Sequence, residues 1–415
     1  MNLKRVVVTG LGSLTPIGND IATMWQAMLA GVSGAGPITR FDSSDFKCKI
    51  ACEVKGFDPT NHFDRKEIRK LDLFSQYGLV ASEEAIKDSG LADDKVDPTR
   101  VGVIWGSGNG GVLTFQEEVS EFERQGRKPR FSPFFCTRMI SNICAGLISI
   151  KHGYSGPNYC TVAACASSAV AISDAFNLLR LGKADIIIAG GSEAAVAECS
   201  IGGFGSMQAL SFRNDDPATA SRPFDKDRDG FVLAEGAGAL VLEELEHAQR
   251  RGAKIYAELT GCGLSADAYH ITASHPEGQG AYLAMKQAVE ESGMSLLDVD
   301  HINTHGTSTP IGDISEPKAI ARLFGDHAKD INLNSTKSMT GHLLGAAESV
   351  EAIATILAIK DGIIPPTINH FTDDPNIEPL NFTFNKAVKR DVRFALSNAF
   401  GFGGHNVSLA FRKFD

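Results

Sequence analysis

The chain has 415 residues, is 43% hydrophobic and 22% charged, and carries a formal net charge of −10. That length can bury a large core, and the acidic balance argues against non-specific nucleic-acid binding. No apolar run reaches the roughly 20 residues that a bilayer crossing needs, and the N-terminal residues lack the pattern of a secretory signal. Eight cysteines without a CxxC pair or a disulfide-like framework favour a reduced, cytoplasmic setting.

Strands and helices alternate along the first half, which predicts an α/β fold. An extended segment over 158–164 leads into a helix rich in small residues over 165–181. The run 231–244 predicts a hairpin, and a long helical pattern covers 66–89. The other elements predicted in this half are strands over 5–10, 101–106 and 185–191, and helices over 21–30, 141–152 and 244–251.

The pattern restarts in the second half with a strand over 254–265. The helix predicted over 342–360 repeats the composition of the helix at 165–181, since each begins at a reactive residue, continues rich in alanine and precedes a strand. Buried helices of α/β proteins share such composition, so this echo alone is compatible with duplication or with common packing. The remaining predictions are helices over 280–292 and 315–324, and strands over 301–304, 331–333, 393–397 and 406–411.

Cys165, in AACASS, is the first candidate for chemistry. It follows an extended segment and opens a predicted helix, where free N–H groups and the helix dipole lower a thiol pKa. Its own N–H could serve an oxyanion. Most single cysteines are inert and buried, but small neighbours on both sides leave room here for a substrate.

Two histidines complete the reactive set. His305 lies in the Gly/Thr/Ser loop NTHGTST, and His342 opens a predicted helix, where the dipole keeps an imidazole neutral and able to donate. His301 does not make a zinc pair with His305, because the segment between them is extended and holds no Glu. A buried Lys337 needs a partner, which predicts an ion pair with Glu351. A soft nucleophile with two neutral donors suits acyl transfer followed by carbon–carbon bond formation.

Three other motifs predict structure only. Residues 106–111 form a literal GxGxxG, but no acidic residue follows on a second strand, so a tight turn against other backbone is favoured. Residues 225–230 copy the start of a calcium loop, but position twelve is Gly236, which favours a turn held by Asp and Arg hydrogen bonds. GLSAD at 263–267 fails the GxSxG pattern of a serine hydrolase.

The chain as a whole resembles the β-ketoacyl-[acyl-carrier-protein] synthases of bacterial fatty acid synthesis, and among them the synthase II type. The resemblance rests on long motifs in a fixed order along nearly the whole chain. They are VVVTGLGSLTPIG, FSPFF, CASS, DIIIAGGSE, SRPFDKDRDGFV, HGTSTPIGD, STKSMTGHLLGAA and SNAFGFGGHN.

The resemblance implies the thiolase fold: two similar α/β halves that stack as five α-β-α-β-α layers, in a homodimer. The halves would be 1–254, with Cys165, and 255–415, with His305 and His342. The implied reaction is a decarboxylative condensation that makes a 3-ketoacyl product. It needs no cofactor or metal, because the substrates carry phosphopantetheine on an acyl carrier protein.

The family's motifs also imply roles for individual residues. Cys165 would accept the acyl group, His305 and His342 would hold the malonyl thioester oxygen, and Lys337 and Glu351 would order the site. Phe402 would gate the site, and its N–H would complete an oxyanion hole with that of Cys165. Thr307 and Thr309 would bind the pantetheine arm, with Phe231, Asn109 and Phe402 also among the substrate-binding residues.

Four residues depart from the family's pattern: Ala163 and His405 each stand in place of Thr, Glu348 in place of Gly, and Asn109 in place of an apolar residue near the bottom of the acyl pocket. None is one of the three reactive residues. They bear on acyl-chain preference, because a polar Asn109 would change the depth of the pocket.

Basic residues at helical spacing, Arg65, Lys66, Arg69 and Lys70, are by default a solvated helix face. In an acidic protein such a patch can also steer an acidic partner. Carrier proteins are acidic, so we expect docking there, joined by Arg127, Lys128 and Arg130.

Three other functions fit the sequence less well. A thiolase needs a second cysteine near the C-terminus, whereas the last cysteine here is Cys262. A subunit of the chain-length-factor type would lack the nucleophile, and Cys165 is present. A polyketide ketosynthase is nearer in chemistry, but no acyltransferase or carrier region accompanies this chain.

Overall fold

A computed structural model describes residues 3–92 and 94–415. None of the helices in these two ranges combines the length and the apolar character that a bilayer crossing requires. The helices are α1 (Ile21–Leu29), α2 (Arg65–Ile68), α3 (Leu73–Asp88), α4 (Val112–Arg124), α5 (Phe135–Met139), α6 (Ile143–His152), α7 (Ser167–Arg180), α8 (Glu198–Ser206), α9 (Leu245–Arg250), α10 (Gln279–Ser292), α11 (Gly312–Phe324), α12 (Lys337–Thr340) and α13 (Ala347–Asp361).

The strands agree with most of the predicted positions. They are β1 (Val6–Leu14), β2 (Gly36–Pro37), β3 (Ile50–Ala51), β4 (Val101–Gly106), β5 (Asn158–Thr161), β6 (Ile186–Glu193), β7 (Gly236–Glu244), β8 (Ala257–Ala266), β9 (His301–Asn303), β10 (Asn332–Asn334), β11 (Ile363–Ile364), β12 (Val388–Lys389), β13 (Phe394–Gly401) and β14 (His405–Arg412).

Ten strands hydrogen-bond in the order β10-β9-β13-β14-β8-β1-β7-β6-β4-β5. Each half of the chain contributes five adjacent strands. The two groups join where Val6–Val8 of β1 pair antiparallel with Ala257–Leu259 of β8. Strand β5 lies at one edge of this sheet, with β4 as its only neighbour among the described strands.

Helices pack in three layers: one outside each group of five strands and one between the two groups. With the two strand layers, this confirms the five-layer thiolase fold. Helices α3 and α6 pack on β4, β6 and β7, while α10 and α11 pack beyond the strands of the second half. Between the two groups of strands lie α7 and α13, which contact each other and strands of both halves. The alanines that make up much of these two helices are buried, and small side chains let two helices and two sheet layers meet closely.

Glycine allows the closest approach in this core. A Cβ at Gly10 or Gly12 of β1 would overlap the carbonyl oxygens of Ala85 and Ala81 in α3. At Gly106, a Cβ would overlap the backbone of Ser168, and one at Gly110 would lie 2.7 Å from the carbonyl oxygen of Met139. The GxGxxG run is therefore a turn pressed against other backbone, as its sequence predicts.

The turn that begins at Asp225 also has the predicted character. Its carboxylate accepts hydrogen bonds from the N–H groups of Phe371 and Thr372, at 2.7 and 2.8 Å. Arg228 bonds to Asp374 at 2.7 Å and to backbone carbonyls. These bonds fix the loop of small and charged residues beside the second half of the chain.

Three predicted elements are wrong. The helix expected over 66–89 is divided, because Asp72 accepts a hydrogen bond from Phe74 N and caps a new helix, α3. Residues 231–235 do not form the first strand of a hairpin but make isolated bridges, one of them between Leu233 and His342. The helix expected from His342 begins only at Ala347, after a short 3-10 turn at 344–346.

Candidate active site

Cys165 lies between the edge strand β5 and the central helix α7. Ala164 before it has φ of 49°, a conformation that costs a non-glycine residue free energy and that persists where the surroundings hold it. This turn directs the chain from the strand into α7, whose first residue is Ser167. Cys165 is therefore placed just before the helix, close to its predicted position.

The three reactive residues meet at one cavity of about 360 Å³. Cys165 comes from the turn before α7, His305 from the loop after β9, and His342 from the segment between α12 and α13. All three line the cavity, whose other walls are largely apolar. The structure thus brings together three residues that are up to 177 positions apart in the sequence.

Backbone contacts fix both histidines. The N–H groups of His305 and Gly306 each donate to the buried Glu316 carboxylate at 3.0 Å. His342 donates its N–H to Val232 O at 2.8 Å and accepts from Ala234 N at 3.0 Å. The loop after β9 and the segment after α12 therefore hold the backbones of the two histidines, whose rings both line the cavity.

Both imidazoles are neutral, but the cause differs from the one predicted for His342. Because α13 begins five residues later, its dipole cannot act on His342 as expected. Burial, together with the positive charge of Lys337, instead holds the pKa of His342 well below its ordinary value. Burial, Lys337 and His342 have the same effect on the pKa of His305. The Nδ1 atoms of both rings are buried and have no hydrogen-bond partner among the described residues.

His301 stands apart from this pair. It is buried, and its Nε2 lies 2.8 Å from Asn334 Oδ1. Burial lowers the pKa of His301 to about 4. It is a core histidine, as the sequence indicates.

The expected low pKa of the Cys165 thiol is wrong for the unliganded site. Burial raises its pKa to about 11 and outweighs the opposing effects of Lys337 and of the N–H groups of Phe402 and Cys165. The loss of hydration of a fully buried thiolate is larger than the stabilisation that a helix terminus provides. The free site therefore holds a thiol, with donors already directed at its sulfur.

Lys337 and Glu351 form the predicted buried ion pair. The Lys337 ammonium donates to both carboxylate oxygens of Glu351, at 2.6 and 2.8 Å. Lys337 is 1% exposed and Glu351 2% exposed. Burial raises the pKa of Glu351 to about 7, against the effect of Lys337.

Phe402 lies beside the nucleophile. Its ring lines the cavity and lies 6.4 Å from that of Phe204. A Cβ on the preceding Gly401 would lie 2.7 Å from Ala163 O and 3.2 Å from Cys165 N, so glycine is needed for this approach. The N–H groups of Phe402 and Cys165 both act on the Cys165 sulfur, an arrangement suited to an oxyanion.

Besides Phe402, three of the predicted substrate-binding residues line the cavity and one does not. Thr307 and Thr309 face it with their hydroxyl oxygens 3.0 Å apart, and Phe231 packs its ring 5.2 Å from that of His342. Asn109 lies outside this cavity. Its carboxamide donates to the buried Glu193 carboxylate at 2.6 Å, and its contact with the acyl chain stays a prediction.

The basic residues predicted to dock a partner are exposed. Lys66 lies in the one-turn helix α2, Arg69 caps its C-terminus, and Lys70 follows, so the helical spacing extends over little more than one turn. Lys70 Nζ lies 5.9 Å from the ring of Phe134, four residues after Arg130. Lys128 and Arg130 are exposed, and Arg127 pairs with Glu123 at 3.1 Å.

Sequence reasoning missed several cavity residues. The ring of Phe400 lies 5.5 Å from that of His305, at a tilt of 52°. Phe400 belongs to the quoted motif SNAFGFGG, so the motif could have indicated it. The loop holding Thr272 and Ser274 also lines the cavity. It is tied to the Phe402 loop by a bond of 2.7 Å from Gly403 N to Ile271 O, which no local pattern reveals.

A thiol, two neutral imidazoles and an apolar cavity inside a thiolase fold define a condensing enzyme of the acyl-thioester class. The chain belongs to the beta-ketoacyl synthase family: the family model for the N-terminal domain matches residues 3–248 and that for the C-terminal domain residues 256–371.

Relatives and solved structures agree over the full length. The chain is 50% identical to 3-oxoacyl-[acyl-carrier-protein] synthase 2 of Synechocystis sp., over 99% of this chain and 98% of that one. It is 48% identical to the protein of that name from Staphylococcus aureus, over 99% of each. A beta-ketoacyl synthase from Burkholderia phymatum superposes with a TM-score of 0.92 at 34% identity, over 99% of this chain and 100% of that one. A type II polyketide ketosynthase, solved in complex with its acyl-carrier protein, gives 0.89 at 33% identity, over all of both chains.

Proposed function

We propose that this chain is a 3-oxoacyl-[acyl-carrier-protein] synthase, which lengthens an acyl chain by two carbons in fatty acid biosynthesis. The single observation that carries the proposal is the shared cavity of Cys165, His305 and His342. The full-length similarity to the synthase 2 proteins supports the same reaction.

In the first half-reaction, Cys165 takes the acyl group from a carrier-protein thioester. Its sulfur forms the new thioester while the bond to the pantetheine sulfur breaks, and the proton of the Cys165 thiol ends on the departing pantetheine thiol. The tetrahedral oxyanion accepts hydrogen bonds from the N–H groups of Cys165 and Phe402. Such preorganised donors stabilise charge most when water is excluded, and Cys165 is only 8% exposed.

In the second half-reaction, malonyl-carrier protein enters and loses carbon dioxide. The electron pair of the broken C–C bond forms an enolate, whose oxygen accepts hydrogen bonds from His305 and His342. The enolate carbon attacks the acyl thioester on Cys165, giving the 3-ketoacyl product and a Cys165 thiolate that takes up a proton. Neutral imidazoles suit this role because they donate to an oxygen that gains charge.

The other residues of the site position these groups. Burial and the charge of Lys337 keep both imidazoles in the neutral form, and Lys337 is itself neutralised by Glu351. Thr307 and Thr309 bind the pantetheine arm, Phe231 lines its path beside His342, and Phe402 gates the way to Cys165. The reaction uses no metal or resident cofactor, because the substrates carry their own phosphopantetheine.

The carrier protein docks on the exposed basic residues. Lys66, Arg69 and Lys70 form the first group, and Arg127, Lys128 and Arg130 the second, on a chain that is otherwise acidic. Lys128 and Arg130 are the freer charges of the second group, since Arg127 is paired with Glu123. Opposite charge attracts an acidic partner and orients it before contact.

The protein works in the cytoplasm.

Two copies of the chain associate through the edge strand β5. An unpaired strand edge is a template for another strand, and a two-fold axis through β5 would extend both sheets. Ile150, Tyr159 and Val162 surround this edge at 78%, 37% and 63% exposure, which an interface would cover. Sedimentation of the wild type and of a Val162→Glu variant tests the dimer, which the added charge should weaken.

Intact-mass analysis tests the reaction. The protein is incubated with acyl-carrier proteins of graded chain length, and then with malonyl-carrier protein. We expect an acyl adduct on Cys165 that disappears as 3-ketoacyl product forms. A Cys165→Ala protein that still makes this product would overturn the proposed function.

A further inference from the structure

Glu348 is a carboxyl group that the proposed reaction does not use. It lies in the first turn of α13 and is fully buried, at 0% exposure. Neither of its carboxylate oxygens has a hydrogen-bond partner among the described residues. An isolated charge in such a place is strongly unfavourable, so this residue needs an explanation.

The charged groups around Glu348 come from three helices. Glu351 lies three positions further along α13, Lys337 belongs to α12, and Glu316 belongs to α11. From β13, the Ser397 hydroxyl approaches Glu348, but it completes no hydrogen bond of normal geometry. The site therefore holds three buried carboxyl groups and one ammonium.

Two of these carboxyl groups have hydrogen-bond partners that favour the carboxylate form. Glu351 receives the Lys337 ammonium on both oxygens, at 2.6 and 2.8 Å. Glu316 accepts three bonds of 3.0 Å, from the N–H groups of His305 and Gly306 and from Asn398 Nδ2. Glu348 is the one carboxyl group of the three whose oxygens receive no hydrogen bond of normal geometry from a described residue, so it is the group that the site leaves neutral. Burial and the nearby Glu351 charge accordingly raise its pKa well above the ordinary range.

We propose that Glu348 is a positioning residue, held as a neutral carboxylic acid so that Lys337 stays on Glu351 and the site beside the two histidines gains no further negative charge. The effect of a neutral Glu348 on the reaction rests on the proposed function. The malonyl group carries a carboxylate, and its decarboxylation builds negative charge on an enolate. An ionised Glu348 would compete with Glu351 for Lys337. Its charge would also oppose the binding of the malonyl carboxylate and the build-up of charge on the enolate.

The activity test compares Cys165→Ala with Cys165→Ala/Glu348→Gln, because removal of the thiol also removes its own titration. Carbon dioxide release from malonyl-carrier protein is followed from neutral to alkaline pH. We expect decarboxylation by the first protein to decline as Glu348 ionises, and we expect this decline to be absent with glutamine, which keeps the shape and stays neutral. Parallel profiles would overturn the positioning role.

Two measurements on the otherwise unaltered chain do not depend on activity. Infrared difference spectra should show the C=O band of a protonated carboxylic acid at neutral pH, lost in Glu348→Gln and kept in the exposed control Glu290→Gln. The second measurement is thermal stability as a function of pH. Between the ordinary pKa of a glutamic acid and the raised pKa of Glu348, the folded state binds more protons than the unfolded state. Wild-type stability therefore falls as pH rises through that window. The melting temperature of Glu348→Gln relative to wild type should therefore increase from acid to mildly alkaline pH.

These results separate the inference from the proposed function. No protonated-acid band, or a relative melting temperature that falls with pH, would show an ionised Glu348 and overturn the inference. If both measurements agree with a neutral acid but Cys165→Ala decarboxylates nothing at any pH, then the proposed function and the positioning role fail, and only the protonation state of Glu348 stands.

Discussion

The imidazole rings of His305 and His342 meet edge to face, with their centroids 5.5 Å apart and their planes at 85°. One ring comes from the loop after β9 and the other from the segment between α12 and α13, so the contact depends on the folded second half of the chain. Two rings in this arrangement can direct donors at one oxygen in the cavity.

Replacement of either histidine by alanine should separate the two half-reactions. Loss of one preorganised donor to a developing oxyanion costs about 10²–10³ in rate, so His305→Ala and His342→Ala should lose condensation and malonyl decarboxylation by that factor. The acyl adduct on Cys165 should still form, as measured by intact mass. A variant that loses the adduct as completely as the product would contradict the division of roles.

The high pKa of the Cys165 thiol predicts a steep dependence of its reactivity on pH. Because only the thiolate reacts, alkylation by iodoacetamide should rise about tenfold per pH unit from neutral pH towards 11. Peptide mass spectrometry is needed for the readout, since Cys136 and Cys199 are exposed. Lys337→Met should react more slowly at each pH, because the Lys337 charge lowers the pKa of this thiol. A plateau already reached below pH 9 would show that burial does not dominate.

Removal of one member of the Lys337–Glu351 pair should destabilise the fold strongly. Breaking a buried pair leaves an uncompensated charge and costs about 3–5 kcal/mol, so we expect Lys337→Ala to lower the free energy of unfolding by that amount. Replacement of both residues, as Lys337→Met with Glu351→Leu, should recover much of the loss while activity stays absent. Urea denaturation measures the free energy of unfolding of the single and of the double variant. Equal instability of the single and double variants would show that shape, and not charge, is the cause.

Charge reversal tests the docking surface. At about 0.5–1 kcal/mol for each exposed charge, Lys66→Glu with Lys70→Glu should raise the Michaelis constant for carrier protein about tenfold. Added salt should reduce the difference between wild type and variant, since it screens exposed charges. Lys329→Glu, an exposed reversal in the second half of the chain, is the matched control. An unchanged Michaelis constant in the double variant would exclude this surface.

The sequence predicted the reactive residues better than their electrostatics. Cys165, His305 and the Lys337–Glu351 pair were found because each lies in a local pattern that limits its possible roles. The thiol pKa was predicted in the wrong direction, because burial depends on contacts far along the chain. His342 was assigned to a helix start, since composition does not reveal the 3-10 turn that delays α13.

Long-range partners decide what the local sequence leaves open. The carboxamide of Asn109 bonds to Glu193, 84 positions away, and its place at the acyl pocket stays a prediction. The run 231–235 has the composition of a strand, yet its backbone is used by Leu210, Cys52 and His342. In each case the local sequence was compatible with two structures, and a distant residue decided between them.

Helix α13 has consequences for how this gene can be divided. All of its first thirteen residues are buried in an interior shared by both halves, and Ser349 N bonds to Ser168 Oγ of α7 at 3.1 Å. A fragment that begins near residue 255 would expose to water the surface of this helix that α7, β6 and β7 now cover. Complementation from two separately translated pieces should therefore require that they be made together, with each piece serving as the template on which the other folds.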